Sequence, residues 1–468
     1  MFKFDFDLED IDESLDVVDV HPGRSSQASP LDSKQKVDAL QFRQLSVEDL
    51  LDALPPLVSY SPLTIPLSTN GSLKSLDLVR RDLFDARFQL ISEGKEQTND
   101  EDTSKSQVHA ATSDSIADKS ISSHDETSEA LRFLDAPSDL VPGVYEGGLK
   151  TWECALDLAD YLDSQRAVSS DLHAEGSLSS PWSRVLEIGC GTGIPSIYLL
   201  HRIFSAAPPS SIDVDQPADS PDYKFHIHLQ DFNASVLELM TLPNILLNWY
   251  ISPASKAYRE ALPADEDGAA TDASASPNPT LPGELHITPE LKTAFLASLR
   301  SLGISIRLFA GAWESFDLDQ IWAPSSSQPN GSGMSPSYDL VLTSETIYRM
   351  DSLPSLISLL RRASGAEPSP ATAKAIDNAG TLANLVDAQL RVDNHGDTGS
   401  AGSTRLSAPD HVCLVAAKVL YFGVGGGVAE FVRAVEGGAD RDIGQGSVST
   451  VWEKNGGVGR CIMRVSWR

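Results

Sequence analysis

Two hydrophobic periods alternate along the chain. A spacing of three to four marks helices, and short apolar runs or strict alternation mark strands. SRVLEIG (183–189) is a short apolar run ending in glycine and predicts a buried strand, and IPSIYLLHRIF (194–204) predicts a helix with Pro195 in its first turn. KFHIHLQD (224–231) alternates as a strand, and SVLELMTL (235–242) is helical. ISIRLFAG (304–311), YDLVLTS (338–344) and HVCLVAAKV (411–419) predict further strands. Helices fill the gaps at 288–302, at 351–362 and after the glycines at 425–427. Upstream, Trp152, Ala155, Leu156, Ala159 and Leu162 line one helical face. The stretch from Leu76 to Glu93 predicts a helix on Leu78, Leu83, Phe84, Phe88 and Ile91. The end of the chain reads as two strands around Asn455-Gly456-Gly457. Strand–helix alternation closing in a hairpin argues for an α/β sheet wound on both faces, with an antiparallel strand at the end.

Four segments do not fit this alternation: about 205–222, 252–283, 323–337 and 363–408, rich in Pro, Ser, Ala, Gly and Asp. They read as low-complexity insertions. Residues 1–130 read as an acidic, mostly disordered region with a short helix near 76–93, and 94–128 within it as linker. The folded domain is expected over 131–468.

The chain has 468 residues, 66 acidic and 36 basic, with a net charge of -30. That balance lacks the basic footprint of nucleic-acid binding and suits a basic protein partner. Cys154, Cys190, Cys413 and Cys461 form no C-x-x-C pair, and the histidines are scattered, so a reduced, metal-free protein is expected. No apolar run is long enough to span a membrane, and the N-terminus has no signal-peptide pattern.

VLEIGCGTG (185–193) sets Glu187, Gly189, Gly191 and Gly193 at alternate positions between a strand and a helix. Glycines let a ligand approach the backbone, and a helix N-terminus then faces it. The dinucleotide pattern G-x-G-x-x-G fails, because Ile194 stands at its third glycine. An acid followed by G-x-G-x-G resembles the S-adenosylmethionine fingerprint. Gln230-Asp231, ending the second strand, supplies an acceptor for ribose hydroxyls.

DLVPGVYEGGLKTWEC, VLEIGCGTG, LQDFN, LPN, FAGAW, YDLVLTSETIY and KVLYFGVGGGV occur in one order. Together they resemble the protein-histidine N-methyltransferases of the seven-strand, Rossmann-like, S-adenosylmethionine-dependent class, which act on a histidine of a large-subunit ribosomal protein. The resemblance covers about 130–468 outside the insertions, and touches VSYSPLTI and RRDLFDARFQLISEG upstream. It implies a monomer in cytoplasm and nucleus, acting on a basic ribosomal protein with S-adenosylmethionine as cofactor.

The resemblance also implies roles. Thr151, Trp152, Glu153 and Cys154 would touch the methionine end of the cofactor, with Tyr145, Glu146, Gly147 and Gly148 in a rim over the site. Glu187, Gly189, Cys190, Gly191 and Gly193 would form the backbone groove. Gln230, Asp231 and Phe232 would hold ribose and adenine. Gly311, Ala312 and Trp313 stand where the family has Gly-acid-Trp, so Ala312 departs from the pattern. Ser344, Glu345 and Tyr348 would lie where methyl and substrate ring meet. Tyr421, Phe422, Gly423, Gly425 and Gly426 would form a substrate-side loop. Glu345 or Glu146 would orient the ring through its second nitrogen. A lysine-methylating enzyme of the same fold and an inactive cofactor-binding module are the alternatives.

Overall fold

Each strand of the central sheet sends successive side chains to opposite faces, and both faces are covered. Val185 of β4 (Arg184–Ile188) joins one apolar cluster, while Leu186 and Ile188 join another. Leu340 and Leu342 of β8 (Leu340–Ser344) divide from Val341 in the same way. Double coverage makes these strands read as continuous apolar runs rather than as alternation.

The computed structural model describes residues 41–68, 74–91, 147–170, 182–206, 223–262, 277–322, 337–366, 411–421, 425–437 and 446–467. Residues 1–40 and the linker 94–128 lie outside the described residues, as do Tyr145, Glu146, Phe422 and Gly423. The remaining strands are β1 (Arg43–Leu45), β2 (Leu57–Leu67), β3 (Lys74–Arg81), β5 (Phe225–Asp231), β6 (Gly283–His286), β7 (Ile304–Ala310), β9 (Val412–Lys418), β10 (Gly446–Lys454) and β11 (Arg460–Trp467). The large sheet runs β1-β7-β5-β4-β8-β9-β11-β10. Strands β7, β5, β4, β8 and β9 are parallel, and β11 inserts antiparallel between β9 and β10. Without the N-terminal edge strand β1, this is the doubly wound seven-strand sheet with a final hairpin that the sequence implied.

The N-terminal part departs from expectation. Residues 74–81 are a strand, not the first half of a helix, and only 83–91 is helical. Eight residue pairs, from Tyr60↔Arg81 to Leu67↔Lys74, bind β3 to β2. That ladder overrides the helical spacing of the local apolar positions. On the helix Ala86 and Leu90 are buried, whereas Phe84 and Phe88 are exposed. Leu50, Leu51, Val58, Ile65, Leu78 and Val79 belong to the main core, so the folded unit begins well before residue 131.

The segment 252–283 also departs. Ser255, Tyr258 and Arg259 are buried, and Arg259 Nη1 donates to the Tyr250 carbonyl (2.6 Å) and the Ser252 carbonyl (3.0 Å). Strand β6 pairs with β2, so only 263–276 of this segment lies outside the described residues.

The β2–β3 hairpin is fastened by polar side chains of the helix Leu242–Tyr250. Asn248 accepts from Val79 N–H (3.1 Å) and donates to Val79 C=O (2.7 Å). Asn244 accepts from Arg81 N–H (2.7 Å) and donates to Thr192 C=O (3.0 Å), in the turn after β4. Pro243 has no N–H for the Leu239 carbonyl four residues back. A π-helical turn, Leu237–Thr241, lies here, and buried Arg81 donates to that carbonyl through Nη1 at 3.0 Å. Arg81 also reaches Asp85 (2.7 Å) and Gln89 (2.8 Å). Arg81→Met strands all three partners in or near the core. We expect it to lower stability by about 3–5 kcal/mol in denaturant unfolding. A change below about 1 kcal/mol would show that the guanidinium does not anchor the hairpin.

Candidate active site

The chain leaves β4 for β5 on one side, and returns to β8 on the other. Such a reversal opens a crevice at the carboxyl ends of the strands. Both motifs from the sequence meet there. Gly189, Gly191 and Gly193 have φ of 61°, 51° and 72°, the left-handed region that glycine tolerates. A Cβ at Gly189 would stand 2.6 Å from Thr346 Cγ2. One at Gly191 would stand 3.2 Å from the Gly148 carbonyl oxygen, so the rim residues Gly147–Gly148 lie against the turn. Gly193 precedes the helix Ile194–Ser205.

Two neighbouring side chains of β5 hold this turn. Gln230 Oε1 accepts from Gly189 N–H (3.2 Å) and Trp313 Nε1 (2.9 Å), while its Nε2 donates to Gly311 C=O (2.8 Å). Gln230 is buried and its amide is spent inside the protein. Asp231 accepts from Gly191 N–H (2.8 Å) through Oδ2 and from Asn233 N–H (3.2 Å) through Oδ1. A carboxylate offers about four acceptor sites, and Asp231 spends at least two of them on these backbone donors. Phe232 and Trp313 are half-buried beside it, and Ala312 is buried. A Cβ at Gly311 (φ 124°) would collide with the Gln41 carbonyl at 2.7 Å, which adds residues 41–42 to this side of the crevice. Glu187 is fully buried beneath the turn, where Oε2 accepts from Ser196 N–H (2.9 Å) and the Ser196 hydroxyl. Cys190 and Cys154 are buried thiols. Thr151 meets the Thr192 hydroxyl at 3.1 Å, and Trp152 Nε1 donates to Gly147 C=O at 3.0 Å.

On the β8 side, Glu345 is the one non-glycine residue with positive φ (58°) among the described residues. Such a conformation is costly for a side-chain-bearing residue and persists where its surroundings over-determine it. Here Glu345 N–H donates to Ala416 C=O (2.9 Å), and Tyr421 OH donates to Glu345 Oε2 (2.7 Å). Lys418 Nζ stands 3.6 Å from Glu345 Oε1 and 3.5 Å from Glu153 Oε2, and lies 4.6 Å over the Trp152 ring. Oε1 accepts no hydrogen bond among the described residues. Burial, and then the Glu345 charge, push the Tyr421 phenol well up. The same causes push the Cys154 thiol up, so both groups are neutral donors at neutral pH. Burial opposes the Glu153 carboxylate, yet a backbone hydrogen bond and Lys418 hold it below its usual range. The Tyr348 and Tyr421 rings lie 6.2 Å apart, and Gly426 N–H donates to Tyr348 C=O at 3.0 Å. A Cβ at Gly426 would stand 2.3 Å from Tyr348 C, which explains one glycine of the run by close backbone approach. Ser344 is half-buried at the end of β8, and Gly425 (φ 79°) has open space around it. Sequence reasoning missed Lys418, although it lies in the same run as Tyr421. No spacing rule shows that its ammonium folds back across a strand.

No family model matches the chain. It is 29% identical over 355 residues to Histidine protein methyltransferase 1 of Saccharomyces cerevisiae, covering 76% of this chain and 67% of that protein. The Schizosaccharomyces pombe protein of the same name is 26% identical over 397 residues, or 85% and 79% of the two chains. The Bos taurus homologue is 24% identical, with 76% and 61% covered. The chain is a relative of the histidine protein methyltransferases. In each case the likeness runs along most of this chain. Among the described residues no group of His, Cys, Asp or Glu is placed to hold a metal ion, and no helix is long and apolar enough to cross a membrane.

The buried acid under the glycine turn makes stability depend on pH. Burial pushes the Glu187 carboxyl up to about 7 from an ordinary 4.5; Ser196 pulls it down, and Asp231 pushes it further up. The folded state therefore holds a proton that the unfolded chain releases near 4.5. Stability from this group is present below that value and lost as pH rises towards 7. In Glu187→Gln that loss disappears. We expect the wild-type melting temperature to fall relative to the variant between about pH 4.5 and 7, and to run parallel above. Parallel curves throughout would show that Glu187 is ionised in the fold.

Proposed function

We propose that this chain is an S-adenosylmethionine-dependent protein-histidine N-methyltransferase whose substrate is a basic protein of the large ribosomal subunit. Relatives of that activity along most of the chain support the reading. The observation that carries it to the site is Glu345, which follows β8 on a strained backbone and holds a buried carboxylate oxygen that accepts no hydrogen bond among the described residues.

The residues fit the cofactor by their chemistry. The left-handed glycine turn at 189–193 opens at the carboxyl ends of the strands, with the Asp231 carboxylate and the half-buried Trp313 ring beside it. When bound, the cofactor supplies a methyl group on a sulfonium, whose sulfur keeps the bonding pair as the ring nitrogen forms the new bond. The chain's own task is to present a neutral imidazole in line and to hold its other N–H. Glu345 accepts that N–H, fixes the tautomer and stabilises the charge that develops on the ring. Tyr421 fixes the carboxylate from the far side. The net charge of -30 helps capture a basic protein before it is built into a ribosome, so we place the enzyme, as a monomer, in cytoplasm and nucleus.

Incubation with labelled S-adenosylmethionine and a basic ribosomal-protein fraction, followed by amino-acid analysis, should yield a single methylhistidine. Label on lysine would sink the histidine assignment. Glu345→Gln keeps the shape and removes the charge. It should lower kcat about a hundredfold or more, with cofactor affinity by calorimetry unchanged. An unaltered kcat would remove Glu345 from the chemistry.

A further inference from the structure

Lys418 is an odd residue to find against a carboxylate that receives a ring acquiring positive charge. It ends β9, one strand across from Glu345, and its side chain is 18% exposed against 9% for Glu345. Its other anionic neighbour, Glu153, is 55% exposed, so water screens that charge. The next cation, Arg460, is engaged by both oxygens of Asp157. Tyr421 and Cys154 are neutral. On the β8 side of the crevice, then, the Lys418 ammonium is the charge that stands closest to the buried Glu345 carboxylate among the described residues.

That balance separates two kinds of acceptor. A lysine side chain arrives as an ammonium at neutral pH, with an ordinary pKa of about 10.4, whereas a histidine with a pKa of about 6.5 arrives mostly neutral. A bare buried carboxylate would attract the ammonium. With Lys418 beside it, the incoming cation meets a like charge and finds the carboxylate already matched. A neutral imidazole meets no such opposition, and its N–H still finds Oε1, since Lys418 Nζ at 3.6 Å lies beyond hydrogen-bond distance. The same ammonium offsets part of the stabilisation that Glu345 gives the ring, so selectivity is gained against rate.

We propose that Lys418 is a selectivity residue of the acceptor pocket: by neutralising Glu345 it admits a neutral imidazole and excludes an alkylammonium. This rests on the histidine reading above. It is tested on the full chain saturated with S-adenosylhomocysteine, by ligand-observed NMR titration of n-butylammonium and 4-methylimidazole at pH 8. In Lys418→Met, n-butylammonium should gain about tenfold in affinity relative to 4-methylimidazole. In Lys418→Arg the ratio should stay as in the wild type. Calorimetric S-adenosylhomocysteine affinity and the melting temperature report folding, and Lys418→Gln replaces the Met variant if that one does not fold. An unchanged ratio in the folded neutral variant, or no binding of n-butylammonium to it, overturns the inference while the histidine reading stands. Wild-type label on lysine in the assay above overturns both.

Discussion

Two adjacent side chains at the end of one strand hold the site open. Gln230 and Asp231 each accept a backbone N–H from the glycine turn after β4. Three left-handed glycines have no intrinsic reason to stop in one conformation. The two acceptors select it, and Thr241 adds a bond to the Gly191 carbonyl at 2.6 Å. Glu187 caps the following helix from below. The turn is therefore a preformed cradle, fixed before any ligand arrives.

From that turn the restraints spread outward. Asn244 links the Thr192 carbonyl to Arg81, and through Arg81 the N-terminal hairpin is tied to the carbonyl that Pro243 leaves without a donor. On the other side Thr343 donates to the Ile188 carbonyl at 2.8 Å and meets Thr346 at 2.7 Å, so β8 and the residues after it follow the turn. Glu345 sits at the end of this chain of contacts. Its strained backbone is paired with Ala416 and its carboxylate lies between Tyr421 and Lys418. Lys418 in turn covers the Trp152 ring, which holds Gly147. The segments flanking the crevice thus share one polar cluster.

What was readable and what was not divides by range. The five parallel strands carry short apolar runs or, in β5, alternation, and the closing hairpin carries its turn residues, so local sequence suffices for them. Residues 74–81 misled because Leu78 joins Leu83, Phe84, Phe88 and Ile91 in a helical spacing that belongs only to the residues after 82. Only the pairing with β2, from Tyr60↔Arg81 to Leu67↔Lys74, settles the choice. Ser255 and Arg259 look like insertion composition, yet the Tyr250 and Ser252 carbonyls fold back to engage them.

The sequence by itself determined the order of the parallel strands and their helices, the closing hairpin, the glycine turn at 189–193 and the family resemblance. These depend on residues that are neighbours along the chain, where period, turn chemistry and spacing act. The tertiary structure alone decided that Gln230 and Asp231 both brace the turn, that Glu187 is buried beneath it, and that Lys418 stands against Glu345. Those outcomes depend on which polar groups of distant strands lose water together. Hydrogen bonds and charge pairs of that kind are formed only once the sheet has assembled, so no local pattern records them.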